Sequence, residues 1–180
     1  MPLVQHDHVP LFRVARRGWT DPLDTTFAQQ QSNRWNFVGG LAVLYTCCSV
    51  EVAMAVVTDI FSFSALTLND LRPEMRPVLV EVFWRGAAID LASVEGLVEA
   101  GFPLNYPEGV EYSVTQPFAE AWSKLGAEAI LCRSASVWRQ GHRGWMGSHE
   151  PWSELAILTG TAKNSPRTGP IRETEEWLDG

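Results

Sequence analysis

The stretch from Leu41 to Phe61 constrains the fold more than any other part of the chain. Leu41–Cys47 (Leu-Ala-Val-Leu-Tyr-Thr-Cys) reads as a strand entered from the Gly39-Gly40 turn. Ser49 then reads as an N-cap, with Glu51 in the first turn, where a helix dipole favours an anion. The helix predicted from about Val50 to Phe61 carries Val50, Val52, Ala53, Met54, Val56, Val57, Ile60 and Phe61, which cover most of its circumference. Only the Glu51–Ala55–Thr58 face is left for solvent. A helix apolar nearly all round is stable only where neighbours cover it, so this one is expected to be central and buried.

Leu11–Ala15, Pro77–Trp84, Ala129–Cys132 and Glu154–Leu158 read as further strands, and Pro77–Trp84 is the best of them. Ala87–Leu91, after Gly86, is expected to pair with it as a hairpin. Ala92–Ala100 reads as a short helix ended by Gly101. Ser113–Leu125 reads as an amphipathic helix, in which Pro117 is tolerable only near the start. Arg16–Asn33, Phe102–Gly109 and Arg133–Pro151 read as loops. Strands and helices mix without regular alternation, which predicts an α+β fold, a mixed sheet with flanking helices, rather than a doubly wound parallel one. Neither GxGxxG nor GxxxxGK[ST] occurs, so no Rossmann or P-loop fingerprint is present. Residues 1–161 are expected to form one domain, and the polar residues 162–180 a loosely held tail.

The net charge of −7 argues against direct nucleic-acid binding, which relies on Lys and Arg neutralising phosphates. A local arginine cluster still suffices for a small anion. Cys47, Cys48 and Cys132 are odd in number and irregular in spacing, and read as reduced cysteines of a cytoplasmic protein. Met1–Pro10 lacks a basic start followed by an apolar run, and Ala53–Phe61 is too short to span a bilayer.

The segment Ser32-Asn33-Arg34-Trp35-Asn36-Phe37-Val38-Gly39-Gly40 stands out chemically. An arginine can grip a phosphate through two parallel N–H bonds. A tryptophan can offer a face to a base or cap the core. The glycine pair allows close approach of backbone to a ligand. A surface turn with a core Trp35 is the equal alternative. In the Arg133–Pro151 loop, His142, Arg143, Trp145, His149 and Trp152 read either as a binding loop or as a packed surface or subunit contact. His6 and His8 have no third ligand in view and are read as exposed, with no metal.

These blocks resemble the RES family. Its members typically carry Gly-Arg-Trp-Asn, a Gly-containing turn, a strand ending in Leu-Tyr, and a helix opening Ser-x-Glu-x-Ala. Here these are Arg34-Trp35-Asn36, Gly39-Gly40, Leu44-Tyr45 and Ser49-Val50-Glu51-Val52-Ala53. Leu11-Phe12-Arg13-Val14 and Asp21-Pro22-Leu23 look like the family's opening. Gly126, Ile130-Leu131-Cys132 and Arg133-Ser134 look like its C-terminal block. The resemblance implies a fold similar to ADP-ribosyltransferases and action on NAD as substrate, by hydrolysis, phosphorolysis or ADP-ribose transfer. It also implies a toxin paired with an antitoxin of Xre type, and a homodimer. The family's Arg, Glu and Ser would map onto Arg34, Val56 and Ser134. Cofactor-binding residues would be Arg34, Trp35, Asn36, Tyr45 and Ser134.

The Glu is therefore missing where cleavage of the nicotinamide–ribose bond needs it, since a carboxylate stabilises the oxocarbenium-like ribose. Asp59, Glu51, Glu81 and Glu154 are the candidate replacements. Glu81 and Glu154 come first, because strands hold side chains rigidly. Three readings stay open: an NAD-consuming enzyme, an NAD or ADP-ribose binding module impaired at Val56, and a subunit whose business is a protein partner.

Overall fold

A computed structural model describes residues 2–7, 10–141 and 152–178. Along the chain run β1 (Leu3–His6), β2 (Leu11–Arg16), α1 (Thr26–Gln29), β3 (Val43–Cys47) and α2 (Val50–Ser62). After two 3-10 turns come β4 (Pro77–Phe83), β5 (Gly86–Leu91), α3 (Val94–Ala100) and α4 (Tyr112–Lys124). The chain closes with β6 (Ala129–Arg133), α5 (Ala135–Arg139), β7 (Ser153–Leu158), β8 (Arg167–Arg172) and α6 (Thr174–Trp177). The result is the expected α+β architecture with a mixed sheet.

α2 starts where its sequence dictates. The Ser49 side chain accepts from the Val52 N–H at 3.3 Å, and Glu51 lies in the first turn. Val52, Ala53, Ala55 and Val57 are buried. The covered stripe is rotated from the expected one, with Ala55 inside and Ile60 60% exposed. The cause is α5. It packs on α2, and Gln140 donates its side-chain amide to the Ala55 carbonyl at 2.8 Å, an approach that the small side chain permits.

The eight strands form one sheet in the order β1-β5-β6-β7-β3-β2-β4-β8. Only β5 and β6 pair in parallel. The expected hairpin between Pro77–Trp84 and Ala87–Leu91 does not form: β4 lies between β2 and β8, and β5 between β1 and β6. Four strands separate β4 from β5 in the sheet, yet only Trp84 and Arg85 join them in the chain. A linker of that length reaches about 11 Å at most. Crossing the intervening strands of a flat sheet would need roughly 24 Å. The sheet must therefore curl back on itself. Its inner face holds Leu11, Val80, Val82, Trp84, Ala88, Leu131, Leu155 and Ile157 in one buried cluster. The opposite face, with Val43, Ile89, Ile130, Cys132, Ala156 and Leu158, packs under Trp35, Leu97, Phe102, Tyr106 and Trp122.

Two segments are more ordered than their composition foretold. The polar residues after 162, expected to form a loose tail, supply an edge strand: β8 pairs antiparallel with β4, from Leu79↔Arg172 to Phe83↔Arg167. Beyond it Thr174 donates to the Pro77 carbonyl at 2.6 Å, and Trp177 is 3% exposed against the α2 layer. At the other edge β1 pairs with β5. His6, expected to be exposed, is buried and stacks on Trp84 with ring centroids 6.1 Å apart. His8 lies outside the described residues. Among the described residues no helix is long and apolar enough to cross a membrane.

Candidate functional site

The loop bearing Arg34 is held by side chains that act as clamps. Tyr45, on β3, donates its hydroxyl to Asn36 Oδ1 at 2.8 Å and accepts the Trp35 N–H at 3.1 Å. Asn36 donates to the carbonyls of Ala28 and Gln31 at 2.8 and 2.9 Å. From α4, Gln116 donates to the carbonyls of Asn33 and Asn36 at 2.7 and 3.0 Å, and Thr115 bonds the Arg34 carbonyl. Buried polar groups must find such partners, and here every one of them tightens the same turn. Trp35 and Asn36 are each 1% exposed. The structure thus places the Trp35 ring in the core beside Tyr106 and Trp122, not on a ligand face. Asn36 and Tyr45 shape the loop. Gly39, at φ +74°, and Gly40 make its exit turn, where Gly40 N–H donates to the Phe37 carbonyl at 3.0 Å.

What this scaffold presents is the Arg34 guanidinium. It lies over the rings of Tyr106 and Tyr112, 5.7 and 5.9 Å from their centroids. Among the described residues its one hydrogen bond is a long one of 3.5 Å to the Tyr106 hydroxyl. Among the described residues no carboxylate pairs with it. Burial alone would lower its pKa, but the Tyr106 phenol, then Cys132 and Glu154, more than offset that, so it stays charged. A half-buried arginine with no ion pair is a ready anion site. It lines a cavity of about 340 Å³ with Pro107, Glu108, Gly109, Ala135, Trp138 and Arg139.

Glu154 faces the same neighbourhood through strand alternation. On β7 it lies opposite Cys47 of β3 and Cys132 of β6. Tyr45, two residues before Cys47, shares that face. The Ser134 hydroxyl donates to Glu154 Oε1 at 2.6 Å, and Ser134 also caps α5 by accepting the Val137 N–H at 3.4 Å. Burial raises the Glu154 pKa. The Ser134 bond and the charges of Arg34 and Arg139 oppose this, Asp59 adds to it, and the net shift is upward. The side chain is still only half-buried, so its proton can exchange with solvent. Ser134 itself is fully buried, with its hydroxyl committed to Glu154 and the helix cap.

The other carboxylates are placed differently. Val56, at the family's Glu position, is partly buried against the apolar layer under α2. Asp59, one helical turn on, is engaged by Arg139 Nε at 2.8 Å and by Ser136 at 3.1 Å. The Arg139 bond is the main reason that its pKa falls. Glu51 is exposed in the first turn of α2. Glu81 is not brought to Arg34. It pairs with Arg172 across the β4–β8 edge, so that strand glutamate is satisfied as an ion pair.

Several contributors escaped the sequence reading: Gln116, Thr115, Tyr106, Tyr112 and Arg139, while Arg133 was named only as part of a family block, without a role. Arg133 donates to the carbonyls of Ala92 and Leu104 at 2.9 and 2.7 Å and so seats the loop that carries Tyr106. The available signal was Thr115-Gln116, two polar residues inside an otherwise amphipathic helix. No disulfide joins the three cysteines, and burial pushes the Cys132 thiol up to about 12, which makes it unreactive. Among the described residues no group of three His, Cys, Asp or Glu is placed to hold a metal. His142, Arg143, Trp145 and His149 lie outside the described residues.

The described residues thus form a mixed-sheet α+β domain in which Arg34, with no carboxylate partner among them, lies near the half-buried Glu154. The RES domain model matches residues 10–165, and the chain belongs to the RES domain family. Among solved structures it is similar to a chain in the crystal structure of the M. tuberculosis MbcT–MbcA toxin–antitoxin complex. The TM-score is 0.73 at 15% identity, over 96% of this chain and 90% of that one. At that identity the likeness is one of fold. No curated protein sequence matches.

Proposed function

We propose that the protein cleaves the nicotinamide–ribose bond of NAD and serves as the toxin of a toxin–antitoxin pair. The observation that carries the reading is Glu154. It is a half-buried carboxylate, bonded to Ser134 and close enough to Arg34 to feel its charge, and it supplies the acid missing at Val56. In this reading Arg34 grips the pyrophosphate and fixes the dinucleotide. The C–N bond breaks with its electron pair leaving on nicotinamide. Ionised Glu154 stabilises the positive ribose, and takes the proton of the acceptor O–H that attacks the anomeric carbon. Ser134 orients Glu154 through the 2.6 Å bond. Tyr45, Asn36 and Trp35 act from behind, by holding the loop. The acceptor is water, phosphate or a protein side chain.

Membership of the RES family, and the fold shared with a chain of a toxin–antitoxin complex, support an antitoxin partner, of Xre type in this reading. A homodimer is the assembly we expect. The apolar side chain of Val56 favours a second reading, an NAD or ADP-ribose binding module with impaired chemistry.

Nicotinamide release from NAD by the purified protein, with and without phosphate, decides between them. Release that is lost in Arg34→Ala supports the enzyme, and phosphate dependence marks a phosphorylase. NAD binding without release leaves the binding module. Neither release nor binding removes both.

A further inference from the structure

The cavity that receives Arg34 holds a second guanidinium. Ala135, Trp138 and Arg139 are spaced as one face of α5, and all three line it. The Arg139 side chain is 49% exposed, while that of its partner Asp59 is 12% exposed and does not line the cavity. Asp59 therefore acts from behind. Its oxygens engage Nε, at 2.8 Å, and Nη2 of Arg139, and a 3.1 Å bond from Ser136 orients the carboxylate in turn. Gln140, bonded to the Ala55 carbonyl, locks α5 onto α2 beside this pair. A guanidinium has five N–H donors in a planar fork. Asp59 takes one on Nε and one on Nη2, which leaves both on Nη1 and one on Nη2 for a ligand. Glu108 is the one acid among the described lining residues, against the two arginines.

One guanidinium suffices for a single phosphate. A cavity with two, of which one is held in a fixed direction by a buried carboxylate, matches a ligand with two linked phosphates. We propose that Arg139, aimed by Asp59, is the specificity-determining residue that selects diphosphate-bearing ligands over monophosphates. This rests on the NAD reading of the Arg34 site and deepens it. Asp59 is a positioning residue, not a substitute for the missing catalytic Glu.

The test is calorimetric titration of the full chain with ADP-ribose and with ribose 5-phosphate. The unsubstituted protein is expected to bind ADP-ribose more tightly. Arg139→Ala is expected to weaken ADP-ribose binding on the order of tenfold to a hundredfold, the value of a lost charge-assisted bond. Ribose 5-phosphate binding, left unchanged, serves as the internal check that the variant folds. Arg139→Lys keeps the charge without the fork and should recover part of the loss, and Asp59→Asn should lose less than Arg139→Ala. An equal loss for both ligands, no loss for ADP-ribose, or no ADP-ribose binding by the unsubstituted protein would overturn the proposal. Nicotinamide release is scored separately on the same samples. If the diphosphate pattern holds without release, the selection stands and only the reaction falls.

Discussion

At the β4–β8 edge Glu81 rises from the strongest apolar strand and meets Arg172, an arginine on the neighbouring strand that also lies over the Phe12 ring. At the other end of the molecule's chemistry, on β7, Glu154 meets a serine hydroxyl, while the nearby Arg34 and Arg139 are turned to a cavity or to Asp59. Both glutamates sit unexpectedly inside strands, and sequence alone ranks them together. An ion pair satisfies Glu81 and holds an edge strand in place. Glu154 forms no salt bridge among the described residues, and its partial burial pushes its pKa upward. The same residue type on two strands of one sheet thus meets an arginine in one place and a hydroxyl in the other.

The largest effect that would break this comparison lies at the C-terminal edge. Trp177→Ala should destabilise the fold by about 3–5 kcal/mol, as deletion of a buried aromatic does. A denaturant titration that found no change would mean that β8 and α6 are not part of the cooperative unit. Next comes Glu154→Gln, which should lower nicotinamide release by about 10²–10³-fold with little change in ADP-ribose affinity, since an electrostatic group aimed at the transition state is removed. An unchanged rate would remove Glu154 from the catalytic role.

A smaller effect sharpens the contrast by pH. The folded pKa of Glu154 is raised above its unfolded value of roughly 4.3. The fold therefore favours the protonated acid. That contribution is full below the unfolded pKa and is lost as pH rises through the folded one. Glu154→Gln should accordingly gain stability over the parent as pH rises above the ordinary carboxylate range, visible as diverging melting temperatures. Parallel melting curves would mean that Glu154 is not strained. Activity should move the opposite way and rise with pH as Glu154 ionises. The smallest effect is expected for Glu81→Gln: less than about 1 kcal/mol of stability, because the Arg172 side chain is 40% exposed and the pair is partly screened. Its nicotinamide release should be unchanged.

Much of the local structure was legible. Ser49 and Gly101 mark helix ends because caps are local chemistry, and both behave as expected, Gly101 taking φ +74°; Ser93, read as part of a helix from Ala92, instead caps α3 by accepting the Gly96 N–H at 2.8 Å. Strand identity was legible for β2, β3, β4, β6 and β7, where β-branched and apolar runs are bounded by turn residues. Strand pairing was not. Gly86, three residues after the end of β4, invited a hairpin, but the curl of the sheet delivers β5 to β6 instead. β8, with Gly169 and Pro170, has no apolar pattern because it is an edge with little to bury. Arg34, Tyr45 and Ser134 were legible only through family resemblance. The Trp35 and Asn36 beside them could not be assigned to core or ligand, since the same residue types serve both.

The sequence by itself determined the caps, most strands, the buried helix after Ser49, and the presence of an arginine-bearing turn beside a strand that ends in tyrosine. These follow from interactions within a few residues, where spacing alone decides what meets. Only the tertiary structure decided that Glu154 and not Glu81 shares a neighbourhood with Arg34, that Asp59 is taken by Arg139, and that the polar C-terminus closes an edge. Each of these joins residues far apart in the chain. Which of several equivalent carboxylates loses its water, and which finds a cation, depends on how the sheet curls and which arginine arrives first at each one.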